Sequence, residues 1–196
     1  LIAMLDFNRS PGVLAIGQEQ EYKGSNPDVD DYATHIIGEV FIPQNSNTQR
    51  VSEKFVHDWK HHKGKVLVHG DATGGRRTSS SLSGSDWDIF EEIARAEFGE
   101  RLKMRQPTVN PPERSRVNSV NSRIRATDGT IRLLVDPVKC PHVVDDLEGV
   151  TVIEGGVGEL DKDADDMLTH ISDAIGYYIV ERYPIGDHLK LIEQDF

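Results

Sequence analysis

Apolar residues fall in short runs separated by polar punctuation, as in a sheet covered by amphipathic helices. Leu1-Ile2-Ala3-Met4-Leu5 is a continuous apolar run, and residues 1–7 predict a buried strand. Gly12 to Gln18 predicts its hairpin partner, after a turn at Arg9-Ser10-Pro11-Gly12. Residues 20–33 are polar and acidic and predict a surface loop; Thr34 to Ile42 predicts a third strand, stopped by Pro43. Val51, Phe55 and Trp59 step by four and predict a helix over about 48–62, with Gly64 as its C-terminal cap. A fourth strand, 65–70, runs into Asp71-Ala72-Thr73-Gly74-Gly75-Arg76-Arg77 and then a Ser-rich stretch, 78–84. Ser85 or Asp86 caps a predicted helix over about 87–98, with Ile89, Ile93 and Phe98 inward and Gly99 closing it. Further along, the pattern predicts a strand at 102–105 and a helix over about 113–126 with Val117, Val120 and Ile124 inward. A strand at 130–135 and a short helix at 140–147 follow. A Gly- and Asp-rich loop covers 154–166, and a long helix runs from Met167 to Tyr183, stopped by Pro184.

Three early strands followed by alternating helices and strands imply an α/β protein with a mixed sheet flanked by helices. An antiparallel first trio followed by parallel strands is the ribonuclease H-like pattern. The expected organisation is one domain over residues 1–185 and a tail over 186–196.

Three aspartates stand out against this pattern. Asp6 ends the first apolar run and Asp71 ends the fourth strand. Asp173 lies within the last helix, where Asp166, His170, Asp173 and Tyr177 share one stripe beside the apolar face. Two strand-end carboxylates and one helix carboxylate can converge on divalent metals, which suits phosphodiester hydrolysis. Each also has a plainer reading: Asp6 and Asp71 as turn formers, Asp165 or Asp166 as the cap of a solvated helix face. His170 is open to hydrogen-bonding a carboxylate or to simple packing.

Charge changes the picture through its distribution. The net charge of −11 argues against a general affinity for DNA. Residues 95–132, however, carry 9 basic and 4 acidic groups, between acidic flanks. Within them Arg114, Asn118, Asn121 and Arg125 step along one helix face and can follow phosphates, or can form a solvated polar face. Arg76 and Arg77 add positive charge beside Asp71. The single cysteine, Cys140, excludes an intramolecular disulfide, and no His/Cys spacing suits zinc. No apolar run spans a bilayer. The chain does not begin with Met, which suggests a domain from a longer protein.

The segments 3–8 (Ala3-Met4-Leu5-Asp6-Phe7-Asn8), 69–74 (His69-Gly70-Asp71-Ala72-Thr73-Gly74) and 168–177 resemble the three acidic motifs of the nuclease domain of tailed-phage terminase large subunits. Residues 116–121 and 132–137 extend the resemblance, which covers about 1–184 in order. It implies a ribonuclease H-like endonuclease that cuts concatemeric double-stranded viral DNA during packaging. By match of motif, Asp6, Asp71 and Asp173 would hold two Mg²⁺ or Mn²⁺ ions. From their placement in the sequence rather than from the resemblance, Asn8, His170 and Asp166 are the expected supports, and Arg76, Arg77, Arg114, Asn118, Asn121 and Arg125 the expected DNA contacts. The resemblance further implies an ATPase domain elsewhere in the full chain, contacts with a portal and a small terminase subunit, and residence in the cytoplasm of the infected or lysogenic bacterial host. No Walker-type segment occurs in these residues, so they should not translocate DNA alone. Two other readings stay open: a catalytically silent DNA- or portal-binding packaging module, and an actin-like nucleotide-binding domain.

Overall fold

The structure, a computed structural model, describes residues 1–8, 10–22, 32–75, 84–153, 160–162 and 164–185. Arg76, Arg77 and the expected tail lie outside them.

Among the described residues, six strands make one sheet in the order β5-β4-β1-β2-β3-β6. They are β1 (Ile2–Asp6), β2 (Gly12–Glu21), β3 (Tyr32–Ile42), β4 (Val66–Gly70), β5 (Leu102–Arg105) and β6 (Leu133–Val135). β2 is antiparallel to both β1 and β3. β4 lies parallel to β1, β5 parallel to β4, and β6 parallel to β3. This is the mixed ribonuclease H-like topology expected from the sequence.

Helices cover both faces: α1 (Thr48–Trp59), α2 (Asp86–Phe98), α3 (Glu113–Ile124), α4 (Pro141–Gly149) and α5 (His170–Arg182). Strand side chains alternate between faces, so β1 feeds two cores at once. Ala3 and Leu5 join Leu14, Ile16 and Val40 against Phe55 of α1 and Trp87, Phe90 and Phe98 of α2. Ile2 and Met4 join Val13, Ala15 and Ile36 against Val143 of α4 and Ile171, Ala174, Ile175, Tyr178 and Ile179 of α5. Each fully buried Ile or Leu stabilises the fold by about 1.5–3 kcal/mol.

Several expected details shift. α1 ends at Trp59 with Lys60 as its cap, and Gly64 plays no part in it. α2 buries Trp87, Phe90, Ala94 and Phe98. Ile89 and Ile93 are only half-buried, because the aromatic stripe carries more apolar area to the sheet. Ser85 caps α2 in a reciprocal capping box with Asp88, and Gly99 closes it at a φ of 55°. α3 buries Arg116, Ser119, Val120 and Arg123, whereas Val117 is half-buried and Ile124 exposed. The cause is tertiary: both arginines find partners across the helix interface, described below. β6 begins at Leu133, three residues after the expected start. α5 begins at His170, so Asp165, Asp166 and Met167 precede the helix.

Candidate active site

The alternation that builds the cores also aims the aspartates. Asp6 continues the Ile2–Met4 series and therefore faces α5. Asp71 continues the series of His69, whose ring meets Tyr178 of α5 edge-on at 5.0 Å. Parallel pairing of β1 with β4 sets the two strand ends side by side, and Asp71 N–H donates to Leu5 O at 3.3 Å. Gly70 permits this approach: a Cβ there would stand 2.7 Å from the Leu5 carbonyl oxygen. On α5 the stripe His170, Asp173 and Tyr177 faces the same strand ends. All three aspartates are buried, at 9%, 7% and 9% exposure for Asp6, Asp71 and Asp173.

Each carboxylate is held by protein groups. Asn8 Nδ2 donates to Asp6 Oδ2, and His170 Nδ1 stands 3.2 Å from the same oxygen. Asn8 Nδ2 is also 2.9 Å from His170 Nδ1. Asp71 Oδ1 accepts from the Thr73 backbone N–H at 2.7 Å and from Asn110 Nδ2. Asp71 Oδ2 accepts from Thr73 Oγ1. Asn110 Oδ1 in turn accepts from Ala72 N–H at 2.8 Å, and the Trp87 indole donates to Asp71 O at 2.9 Å. Asp173 takes Arg116 on Oδ1 at 2.6 Å and Lys162 Nζ on Oδ2 at 2.8 Å. Lys162 Nζ is also 3.1 Å from Glu113 Oε2.

Electrostatics couple the three. Burial, then the charges of Asp173 and Asp71, push the Asp6 carboxyl up, against the pull of His170. The hydrogen bond to Asp6 holds His170 above its ordinary value, against burial. Burial raises the Tyr177 hydroxyl against the pull of the Arg116 charge, and the charges of Asp71, Asp6 and Asp173 add to that rise. Tyr177 thus feels all three carboxylates at once. Burial opposes the charge on Lys162, but Asp173 and Glu113 outweigh it and raise its pKa.

The second face of α3 carries Arg114, Asn118 and Asn121, all exposed. Arg125 is exposed too, but it caps the helix in extended backbone rather than continuing the row. Among the described residues, Asp166 meets the site through its backbone, at His170. Its side chain is exposed, because the chain has not yet entered the helix.

The sequence did not reveal four contributors. Arg116 looks like one more cation in a basic helix, yet it stacks on Tyr177 at 4.6 Å and pairs with Asp173. Asn110 sits in a Pro-flanked loop with no pattern to mark it. Lys162 lies in an Asp-rich loop. Asp146 of α4, 1% exposed, accepts from the backbone N–H groups of Thr169, Ile171 and Ser172 at 3.1 Å each. It caps α5 from outside, where Asp165 or Asp166 was expected to do so.

Among the described residues, no group of three or more His, Cys, Asp or Glu stands ready to hold a metal ion. The donor chemistry nonetheless fits a hard divalent cation: all-oxygen, anionic and buried, with Asp6 raised first by burial and then by the charges of Asp173 and Asp71.

No family model and no curated protein matches the chain. Two solved structures resemble it. One is the nuclease domain of the large terminase g2p from bacteriophage SPP1 with bound Mn, 20% identical, with a TM-score of 0.48 over 92% of this chain and 84% of that one. The other is the P22 large terminase nuclease domain, 15% identical, with a TM-score of 0.52 over 93% of this chain and 80% of that one. At this identity the P22 likeness establishes a shared fold.

Proposed function

We propose that this protein is a metal-dependent endonuclease that cuts concatemeric double-stranded viral DNA during genome packaging. The reading is carried by three buried aspartates, Asp6 and Asp71 at neighbouring strand ends and Asp173 on α5, of which Asp6 feels the charge of the other two. Arg116 and Lys162 already neutralise Asp173, whereas burial and the neighbouring carboxylates raise the Asp6 carboxyl, a cost that a bound cation would offset. The fold shared with the P22 large terminase nuclease domain supports the reading.

Asp6, Asp71 and Asp173 are the residues that would hold two Mg²⁺ or Mn²⁺ ions. When bound, such ions supply an activated water at neutral pH and charge stabilisation at the leaving oxygen. The chain's own groups do the positioning. Asn8 and His170 orient Asp6; Thr73 and Asn110 fix the Asp71 carboxylate plane; Arg116 anchors Asp173. Arg114, Asn118, Asn121 and Arg125, with Arg76 and Arg77, would follow the DNA phosphates without reading bases. An ATPase domain, a portal and a small subunit are the expected partners, in the bacterial cytoplasm. A silent packaging module is the second reading, favoured by the protein cations that already neutralise Asp173.

Supercoiled plasmid incubated with Mg²⁺ or Mn²⁺, alongside an ATP-hydrolysis control, tests this. Cleavage that is lost in Asp6→Asn, Asp71→Asn and Asp173→Asn, each melting normally, is the expected result. No metal-dependent cleavage by the wild type, or an Asn variant that retains its rate, sinks the assignment.

A further inference from the structure

Asp173 carries two protein cations, and they are held differently. The Arg116 side chain is 7% exposed and is pinned between Asp173 Oδ1, the Pro111 carbonyl at 3.2 Å and the Tyr177 ring. The Lys162 side chain is 42% exposed and bridges Asp173 Oδ2 and Glu113 Oε2. Its backbone neighbours are tethered: Leu160 N–H donates to Glu113 Oε1 at 3.0 Å, and Asp161 N–H to Thr151 O at 2.9 Å. A compact ammonium on a flexible stem therefore reaches Asp173 from a fixed base, with a second carboxylate in reach if it leaves.

We infer that Lys162 is a displaceable stand-in cation. It neutralises Asp173 Oδ2 when no divalent ion is present, competes with Mg²⁺ or Mn²⁺ for that oxygen, and retreats to Glu113 when the ion enters. The inference rests on the reading of Asp173 as a metal ligand. It assigns Lys162 the role of setting how much metal the site needs before it fills. Arg116 stays in place throughout and keeps Asp173 aimed.

Mn²⁺ binding by the intact chain, read from the paramagnetic resonance of free Mn²⁺ without DNA or turnover, tests it. Lys162→Met keeps the stem and removes the charge. It should bind Mn²⁺ about tenfold more tightly or better, since one unit charge a few ångströms away is worth at least that at surface-like screening. Lys162→Arg should stay near wild type, and the gain should vanish when Asp173→Asn is added to Lys162→Met. If Lys162→Met lowers the melting temperature, Lys162→Gln carries the same comparison. Equal or weaker Mn²⁺ binding by Lys162→Met, with binding still lost in Asp71→Asn, overturns the role of Lys162 and leaves the nuclease reading standing. Absence of Mn²⁺ binding in wild type and Lys162→Met alike overturns both.

Discussion

Replacing Asp146 with alanine should loosen α5, the helix that carries His170 and Asp173. The Asp146 carboxylate accepts three backbone N–H groups at the start of that helix, one on Oδ1 and two on Oδ2. Hydrogen bonds to a charged group contribute about 1.5–3 kcal/mol each, and a lost helix cap costs about 0.5–2 kcal/mol. Burial pushes the Asp146 carboxyl up against the pull of these bonds, so desolvation offsets part of their value. A net loss of about 3–4 kcal/mol follows for Asp146→Ala. For a chain of this size that lowers the melting temperature by about 6–15 °C. Asp146→Asn keeps one acceptor oxygen, which can serve the Ile171 and Ser172 N–H groups, and should cost about 1–1.5 kcal/mol, or about 3–5 °C. Calorimetry of the three proteins checks the order, and amide exchange at residues 169–173 checks the location. A melting temperature for Asp146→Ala within about 2 °C of wild type would refute the reasoning; so would an Asn variant less stable than the Ala one.

Asn110→Ala should leave Asp71 Oδ1 with only its Thr73 N–H donor among the described residues and weaken Mn²⁺ binding about 10–100-fold, the usual loss when a group that orients a ligand is removed; an unchanged titration rules out that role. His170, followed by NMR, should titrate above the 6.5 of an unperturbed histidine and fall towards it in Asp6→Asn. Because its folded pKa is raised, the stability it contributes is fully present below about pH 6.5 and is lost as pH rises through the folded value; a His170 pKa insensitive to Asp6→Asn contradicts the pairing. Arg114→Ala with Arg125→Ala should weaken binding equally to two unrelated duplexes and flatten its salt dependence. An unchanged slope would move the DNA path off this helix.

The sheet was readable because apolar runs and period-two alternation are local signals. Asp6, Asp71 and Asp173 stood out as the polar residues that these patterns could not absorb. The faces of the outer helices were harder to read. On α3, apolar periodicity pointed to Val117 and Ile124, yet Arg116 and Arg123 take the interior. Arg116 does so through Asp173 and Tyr177, and Arg123 stacks on Tyr183 at 3.7 Å. Those partners lie in α5 or just after it, so no local window reveals them. The start of α5 is hidden from a local reading for the same reason. Its cap comes from Asp146 on another helix, and the chain enters through Thr169 at a φ of 72°. Asn110 and Lys162 are loop residues, placed by the fold rather than by any repeat.

The two-faced alternation of β1 sets the order in which the three carboxylates can come together. Asp6 points into a space whose far wall is α5, the last helix described, while β1 and β4 come from the first half of the chain. During synthesis the sheet can pair its early strands while that wall is still missing, and the pair Asp6 and Asp71 then faces open water. Neither the third carboxylate nor the capping of its helix by Asp146 exists until α4 and α5 have docked. A chain that stops before α5 therefore lacks the third carboxylate, and the three aspartates come together only when the last described helix docks on the sheet.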